Sequence, residues 1–587
     1  MAMADDVWEE ISQEIPAASE PFIQQYLTGR SNLIAKEQAT RSDASFRKAL
    51  SPIARRACAI VDAIRDHEQK TLWTTDSREQ VPQDTCPNVF PGMMFTMAKD
   101  VMENTELWKI VRRMPKGCLL HAHMDAMVDF DFVLQELMNL PGIHMSSDRA
   151  LCSPDARANA HLSFRYRANE TTSASVWDQS YQPRSFILLT KAADDFADGG
   201  RPAFLKWLKS RCTLSPTNSH RQHHGIDAIW DQFTKCFMVV STMIHYEPVF
   251  RCFLRRLMSL LKADGVNWAE LRFTWGLDYC RDGHEEPETD YSHMFQVLQE
   301  EVAAFKDSPQ GKGFWGLTTI WTTLRSCDTR TVIENMDHCI TTKMEFPHLI
   351  AGYDLVGPED QGRPLVDLVS ELFWFRKQCT QEQVNIPFFF HAGETLGDGS
   401  DADANLFDAI LLGTRRIGHG FSLFKHPLLI DRVKEKRILI ESCPISNEVL
   451  RLCSSVMGHP LPALLARGVA CSLCNDDPAM LGQETAGMSH DFWQALQGWE
   501  NLGLAGLGSL AENSVRWAVF EDQGPEQWAK EIKEASLGSG IKAKRIKEWQ
   551  TDWEKFCLWI VTEYGDEYGP DEAGQTEPQE AKPASDS

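Results

Sequence analysis

The chain has 587 residues, of which 43% are hydrophobic and 24% charged, with a formal charge of −24. This is the profile of a soluble globular protein, too long for one ordinary core and long enough for a large enzyme domain with additions. The acidic balance repels phosphate backbones and anionic lipid, so it argues against nucleic acid and membrane surfaces and suits a neutral or cationic small substrate.

The opening residues MAMADDVWEEISQEIPAASE are acidic and lack an apolar core followed by a small-residue cleavage site. No apolar run approaches the roughly 20 residues that span a bilayer. The 16 cysteines are scattered without a framework spacing, as expected of reduced thiols. A cytoplasmic location is the expectation. Asn169-Glu170-Thr171 has the glycosylation pattern, but in the cytosol it would stay unmodified.

Residues 1–104 read as a helical N-terminal extension. Between Pro21 and Glu68, apolar residues such as Ile23, Tyr26, Leu27, Leu33, Ile34, Phe46, Leu50, Ala54, Ala57 and Ile60 recur mostly at three- and four-residue steps. The connection VPQDTCPNVFPG ends this part. Residues 105–564 alternate short apolar strands with amphipathic helices. The strand candidates are GCLLHAHMD, VNWAELRFT, FWGLTTIW, HLIAGYDLVG, IPFFFHAGE, RRIGHGF, RILIESCPIS and GVACSLCNDD. About eight such units in parallel order predict an α/β fold, a (β/α)8 TIM barrel. Nearly every strand ends in His, Asp, Glu or Asn, where such barrels place their chemistry. Residues from about 141 to 225 interrupt the rhythm after the first strand with loop-like runs (HMSSDRALCSPDARANA, CTLSPTNSHRQHHG), an insertion beside the site mouth. Residues 565–587 are rich in Glu, Pro, Gly, Ala and Ser and read as a disordered tail.

His121 and His123 lie two apart on the first strand, so both side chains share the interior face. Two adjacent imidazoles suit a borderline metal such as zinc, although His-x-His alone is a weak signal. His391, at the end of IPFFF, supplies a third nitrogen, and Asp476, at the end of the last strand, supplies a carboxylate. Sites with three or four protein ligands and an open position are catalytic rather than structural. Singly, His391 also reads as a strand end, and Asp476 and Asp477 as a turn or helix cap before Pro478.

Glu394 follows His391 by three residues, and a carboxyl kept protonated in a confined site can donate to a heteroaromatic nitrogen. His419 stands in RIGHG, where glycines permit close backbone approach, and can polarise the attacking water or simply pack as a hydrogen-bonded histidine. Cys471 and Cys474 are poor joint ligands, because residues three apart on a strand face opposite sides. The cluster His220, His223 and His224 lies in a polar run and reads as solvent-facing. The Cys-based zinc deaminase signature does not occur.

Taken together, PKGCLLHAHMDA, HAGE, RIGHG and NDDP resemble the motifs of the adenosine deaminase family of metal-dependent hydrolases, in the family's order. AGYDLVGPED, IESCPISNEVL and HPLPALLARGV extend the resemblance over roughly residues 111–490. YLTGRSNLIAKEQ and SFRKALSPIARRA resemble the helical extension of the adenosine deaminase-related growth factor branch, whose members are commonly secreted. Asn475 stands where Ser or Thr is usual, and Leu324 where relatives often carry histidine.

The resemblance implies zinc-dependent hydrolytic deamination of adenosine, and of 2′-deoxyadenosine, to inosine and ammonia, with one Zn2+ per chain. On that reading His121, His123, His391 and Asp476 bind the metal. Glu394 protonates purine N1, while His419 and Asp476 position the attacking water and take up its proton. Asp477 bonds N7, backbone at Gly357 meets N3, and Asp125 and Glu270 meet the ribose hydroxyls. The partner is a small purine nucleoside; Asp125 disfavours the 5′-phosphate of AMP, and free adenine stays open as a substrate. A non-catalytic adenosine-binding signalling protein would be expected to have lost Glu394 or a metal ligand. The helical extension is free to form a homodimer interface or to pack on its own barrel.

Overall fold

The computed structural model describes residues 3–73, 90–168, 174–197, 199–214, 225–275 and 278–569. Eleven strands lie among them: β1 Gly117–Leu119, β2 Ile143–Ser147, β3 Leu162–Tyr166, β4 Ile187–Leu188, β5 Val266–Thr274, β6 Gly316–Leu324, β7 Ile350–Val356, β8 His391–Ala392, β9 Arg416–His419, β10 Leu439–Ser442 and β11 Cys471–Leu473. Two four-stranded sheets, β1-β5-β6-β7 and β8-β9-β10-β11, have parallel pairing throughout. Two bridges join them into a barrel. Tyr353 meets Phe388 on one side, and Ala122 meets Asp476 on the other.

The strands are buried on both faces, as parallel strands under helices must be, and they read as apolar runs for that reason. All eight predicted strands are present, and helices such as Ser292–Asp307, Thr329–Glu345 and Asp401–Leu411 cover the barrel between them. In helix Thr329–Glu345, Asp328 caps the start by accepting from Thr331 N at 2.9 Å.

The described part of the insertion holds more regular structure than its sequence suggests. HMSSDRALCSPDARANA contains β2 and helix Pro154–Asn159, and β2 pairs antiparallel with β3 and β4. The sequence alternation is short and its residues are small and polar, so the strand signal was weak. The glycosylation triplet at 169–171 and the histidines at 220–224 fall outside the described residues, as does most of VPQDTCPNVFPG.

The N-terminal extension divides in two. Helix Pro52–Thr71, capped by Ser51, buries Ala54, Ala57, Ile60, Val61 and Ile64 on one face and packs on the last helix, Ile541–Tyr568. Helix Pro21–Thr40 buries nothing, and its Tyr26 and Leu33 are 68% and 70% exposed. The last helix runs past Gly565, where the tail was expected to begin; residues 570–587 lie outside the described set. Among the described residues no helix is long and apolar enough to cross a membrane, and the cysteines are unpaired thiols.

Candidate metal centre and catalytic pocket

The segments that follow β1 and β11, together with the two-residue strand β8, bring four side chains to one point. His121, His123, His391 and Asp476 each offer a ligand atom, and these atoms lie within 4.8 Å of one another. His121 Nε2 and His123 Nε2 stand 3.3 and 3.5 Å from Asp476 Oδ1. His121 Nε2 and Asp476 Oδ1 are buried, with no hydrogen-bond partner among the described residues. Leaving such atoms bare costs free energy unless something outside the chain engages them. Nitrogen and carboxylate donors in this number suit zinc. Burial pushes the His123 and His391 imidazoles down to about 3 and about 4, so their nitrogens are free to ligate near neutral pH.

The backbone aims these groups. Asp476 has φ 57° and His419 φ 59°, the left-handed region that non-glycine residues rarely enter. Each such residue costs on the order of 1–3 kcal/mol, held in place by its surroundings. Asp476 N donates to His121 O at 3.2 Å and His123 N to Asp476 O at 2.9 Å, so the carboxylate is tied to the histidine strand by its own main chain. Ser446 Oγ donates to Asp476 Oδ2 at 2.6 Å. Gly418 lets the backbone pass close to the ligands: a Cβ there would lie 2.7 Å from His121 Cε1.

Beneath the ligands lies a buried ion lattice that the sequence reading missed. His391 Nδ1 is 2.6 Å from Asp354 Oδ2, and His121 Nδ1 is 2.8 Å from Glu441 Oε2. These carboxylates accept the Nδ1 protons and turn each Nε2 lone pair toward the metal position. Arg272 links the two, with Nε 2.7 Å from Asp354 and Nη2 2.8 Å from Glu441. Against the effect of burial, the hydrogen bond from His391 and the charge and hydrogen bond of the Arg272 guanidinium hold the Asp354 carboxyl well below the usual carboxylate range. Arg416 continues the lattice to Glu441 and Glu270, at 2.5 and 2.8 Å, under the ring of Phe389. A signal was present: Asp354 and Glu441 are acids inside otherwise apolar strands, where a charge survives only if paired.

That lattice corrects one expectation. Glu270 is not brought to the pocket. It sits in the middle of β5 rather than at its carboxyl end, bound to Arg416 and to Val519 N. The other predicted residues gather at the mouth. Glu394 is buried, its Oε1 3.6 Å from His419 Nε2 and without a hydrogen-bond partner among the described residues. Burial, with the nearby charge of Asp476, pushes its carboxyl well above the usual range. Glu359 accepts from Glu394 N at 2.8 Å and Gly393 N at 3.2 Å, fixing the turn that presents it. Burial and the Asp476 charge likewise raise Asp477 well above its usual range.

Asp125 is buried beside His123, and burial raises it to about 7. Gly357, with φ 103°, follows β7 and faces Leu324 and Arg325. Phe237, on helix Gly225–Val240, lies with its ring 6.0 Å from that of His123 and forms an apolar wall. The two CxxC thiols stay apart in their bonding, Cys471 to Val469 O at 3.6 Å and Cys474 to Ser472 Oγ at 3.8 Å.

The family model described as "Adenosine deaminase" matches residues 214–535, more than half of the chain. An "Adenosine deaminase" of Lutzomyia longipalpis is 32% identical over 463 residues, covering 78% of this chain and 80% of its own. "Adenosine deaminase 2" of Homo sapiens is 30% identical over 481 residues, covering 80% and 84% respectively. "Adenosine deaminase 2-A" of Danio rerio is 30% identical over 443 residues, covering 74% and 82%. The family match begins after β1, so the roles of His121, His123 and Asp125 rest on the geometry above.

Proposed function

The chain belongs to the adenosine deaminase family of hydrolases, and we propose that it converts adenosine and 2′-deoxyadenosine to inosine and ammonia with one zinc ion per chain. The observation that carries this reading is the convergence of three imidazoles and Asp476 near a buried Glu394, whose carboxyl burial pushes above its usual range and so favours the protonated form. Zinc held by His121, His123, His391 and Asp476 would supply a nucleophilic oxygen at neutral pH, because it lowers the pKa of water towards about 7.

The remaining work falls to the protein. Glu394 donates its proton to purine N1, which withdraws electron density from C6. Purine N7 accepts hydrogen bonds only, so Asp477 must carry a proton to bond it, and its raised pKa supports that state. Asp476 takes the proton of the attacking water and returns it to the amino group, which leaves C6 as ammonia. Gly357 N–H donates to N3, and Asp125 accepts from the ribose. Leu324, at the end of β6, adds an apolar wall near Gly357 rather than a polar contact. The exposed apolar side chains of helix Pro21–Thr40 support a homodimer through the extension, and the unpaired thiols support a reducing compartment such as the cytoplasm.

The test is to measure zinc per chain and ammonia release from adenosine, AMP and adenine in parallel, for wild type and Glu394→Gln. Adenosine should be the preferred substrate, and the variant should keep its zinc while losing turnover. Deamination by the variant at the wild-type rate would overturn the proton-donor role; preference for AMP or adenine would overturn the substrate.

A further inference from the structure

A chain of hydrogen bonds runs from the pocket into the barrel wall behind β9. His419 Nδ1 is 3.2 Å from Asn447 Nδ2, Asn447 Oδ1 is 3.0 Å from His459 Nε2, and His459 Nδ1 is 3.0 Å from Leu461 N. All three side chains are buried, and His459 is wedged between the rings of Phe421 and Trp499. None of these contacts involves the metal ligands.

The far end of the chain fixes its direction. A backbone N–H can only donate, so His459 Nδ1 must be the bare, accepting nitrogen. Burial pushes His459 down to about 3, which makes the ring neutral at working pH. A neutral ring with bare Nδ1 carries its proton on Nε2, and that proton is donated to Asn447 Oδ1. The amide of Asn447 then has only its Nδ2 group to turn to His419, and it donates to Nδ1. The same result follows whichever way the amide is first drawn, because the Leu461 amide cannot reverse.

We propose that Asn447 and His459 are positioning residues that lock His419 as the Nε2–H tautomer, so that His419 acts by donating a hydrogen bond into the pocket and not as a general base. Its Nε2 stands 3.9 Å from Asp476 Oδ2 and 3.6 Å from Glu394 Oε1, the space through which an oxygen approaching C6 must pass. A donor there stabilises negative charge growing on that oxygen. With Nδ1 held by Asn447 and Nε2 already protonated, proton uptake falls to Asp476. This assignment rests on placing His419 beside the attacking oxygen.

The experiment uses full-length protein labelled with [15N]histidine, as purified and again after metal removal, with His419 assigned by its absence from His419→Ala. The expected spectrum has a protonated Nε2 and a bare Nδ1; a protonated Nδ1 in wild type overturns the proposal. Asn447→Asp replaces the donor by an acceptor of nearly the same shape, and should move the proton to Nδ1. It should lower kcat by about 100-fold or more with KM changed less than about threefold, the size of effect a wrong tautomer or lost proton-transfer geometry produces. Retention of kcat within about threefold by this variant overturns the proposal.

Should Asn447→Asp fail to fold, His459→Gln and His459→Phe carry the test. Gln can still donate to Asn447 and should recover most of kcat, whereas Phe should lose at least about tenfold; equal kcat in the two overturns the proposal. Activity surviving in His419→Ala would instead overturn the placement of His419, while leaving the tautomer result to be read from the spectrum alone.

Discussion

His391 and Asp354 are joined through Nδ1 and Oδ2 at 2.6 Å, and the same aspartate accepts from His391 N at 2.9 Å through its other oxygen. One carboxylate therefore fixes both the backbone and the ring of a proposed metal ligand that begins a strand of only two residues. Asp354→Asn should keep the shape but lose the charge that draws the Nδ1 proton. Zinc affinity should fall by about 10–100-fold, the usual cost of losing such a partner. Chelator competition measures this, and an unchanged affinity would show that Asp354 serves the fold alone.

Arg272 is the only described side chain that bonds both Asp354 and Glu441. Its replacement by Met fills similar space but leaves two buried carboxylates without that partner. Breaking a buried pair costs about 3–5 kcal/mol, so the thermal midpoint should drop by several degrees even without metal. Chemical denaturation of the metal-free variant checks this, and a midpoint equal to wild type would contradict it.

Gly418→Ala would place a methyl group 2.7 Å from His121 Cε1. The ring cannot retreat, because it is fully buried and bonded to Glu441. Displacement of one ligand should reduce both zinc content and kcat, the latter by about 100-fold if the reacting groups move by ~1 Å. A crystal structure of the variant with His121 unmoved would refute the steric account.

Glu448 is buried, accepts from Phe95 N at 2.6 Å and Val456 N at 3.0 Å, and is raised by burial from 4.5 to about 8. Between those values the folded protein holds a proton that the unfolded chain has released. Stability from this group is thus present at low pH and is lost as pH rises through about 8. Glu448→Gln stays neutral, so its thermal midpoint should fall less between about pH 5 and about pH 8.5 than that of wild type. Parallel slopes for the two proteins would exclude Glu448 as a source of the pH dependence.

The barrel was legible because each parallel strand is an apolar run ended by a polar residue. His121, His123, His391 and Asp476 stand at those ends, so their convergence could be read from position along each strand. Glu270 was misplaced because it lies in mid-strand, where an inward acid points to the barrel interior rather than the mouth. Asp354, Glu441 and Arg272 went unread because their partners come from other strands, and sequence spacing holds no record of pairing across a barrel. The same holds for the Asn447–His459 chain. The apolar spacing of helix Pro21–Thr40 gave the helix correctly but could not say that none of its side chains would be buried among the described residues.

The bridge between Ala122 and Asp476 joins the first barrel strand to the residue after the last, and it does so between the two paired histidines. A growing chain leaving the ribosome therefore carries His121 and His123 long before the carboxylate that completes their set. On the proposed ligand set, half-made chains offer an ion a pair of imidazoles but no pocket, and firm metal capture would wait until synthesis has passed residue 476. Metal content would then report on a finished barrel, and products that stop before residue 476 would lack the carboxylate that completes the set.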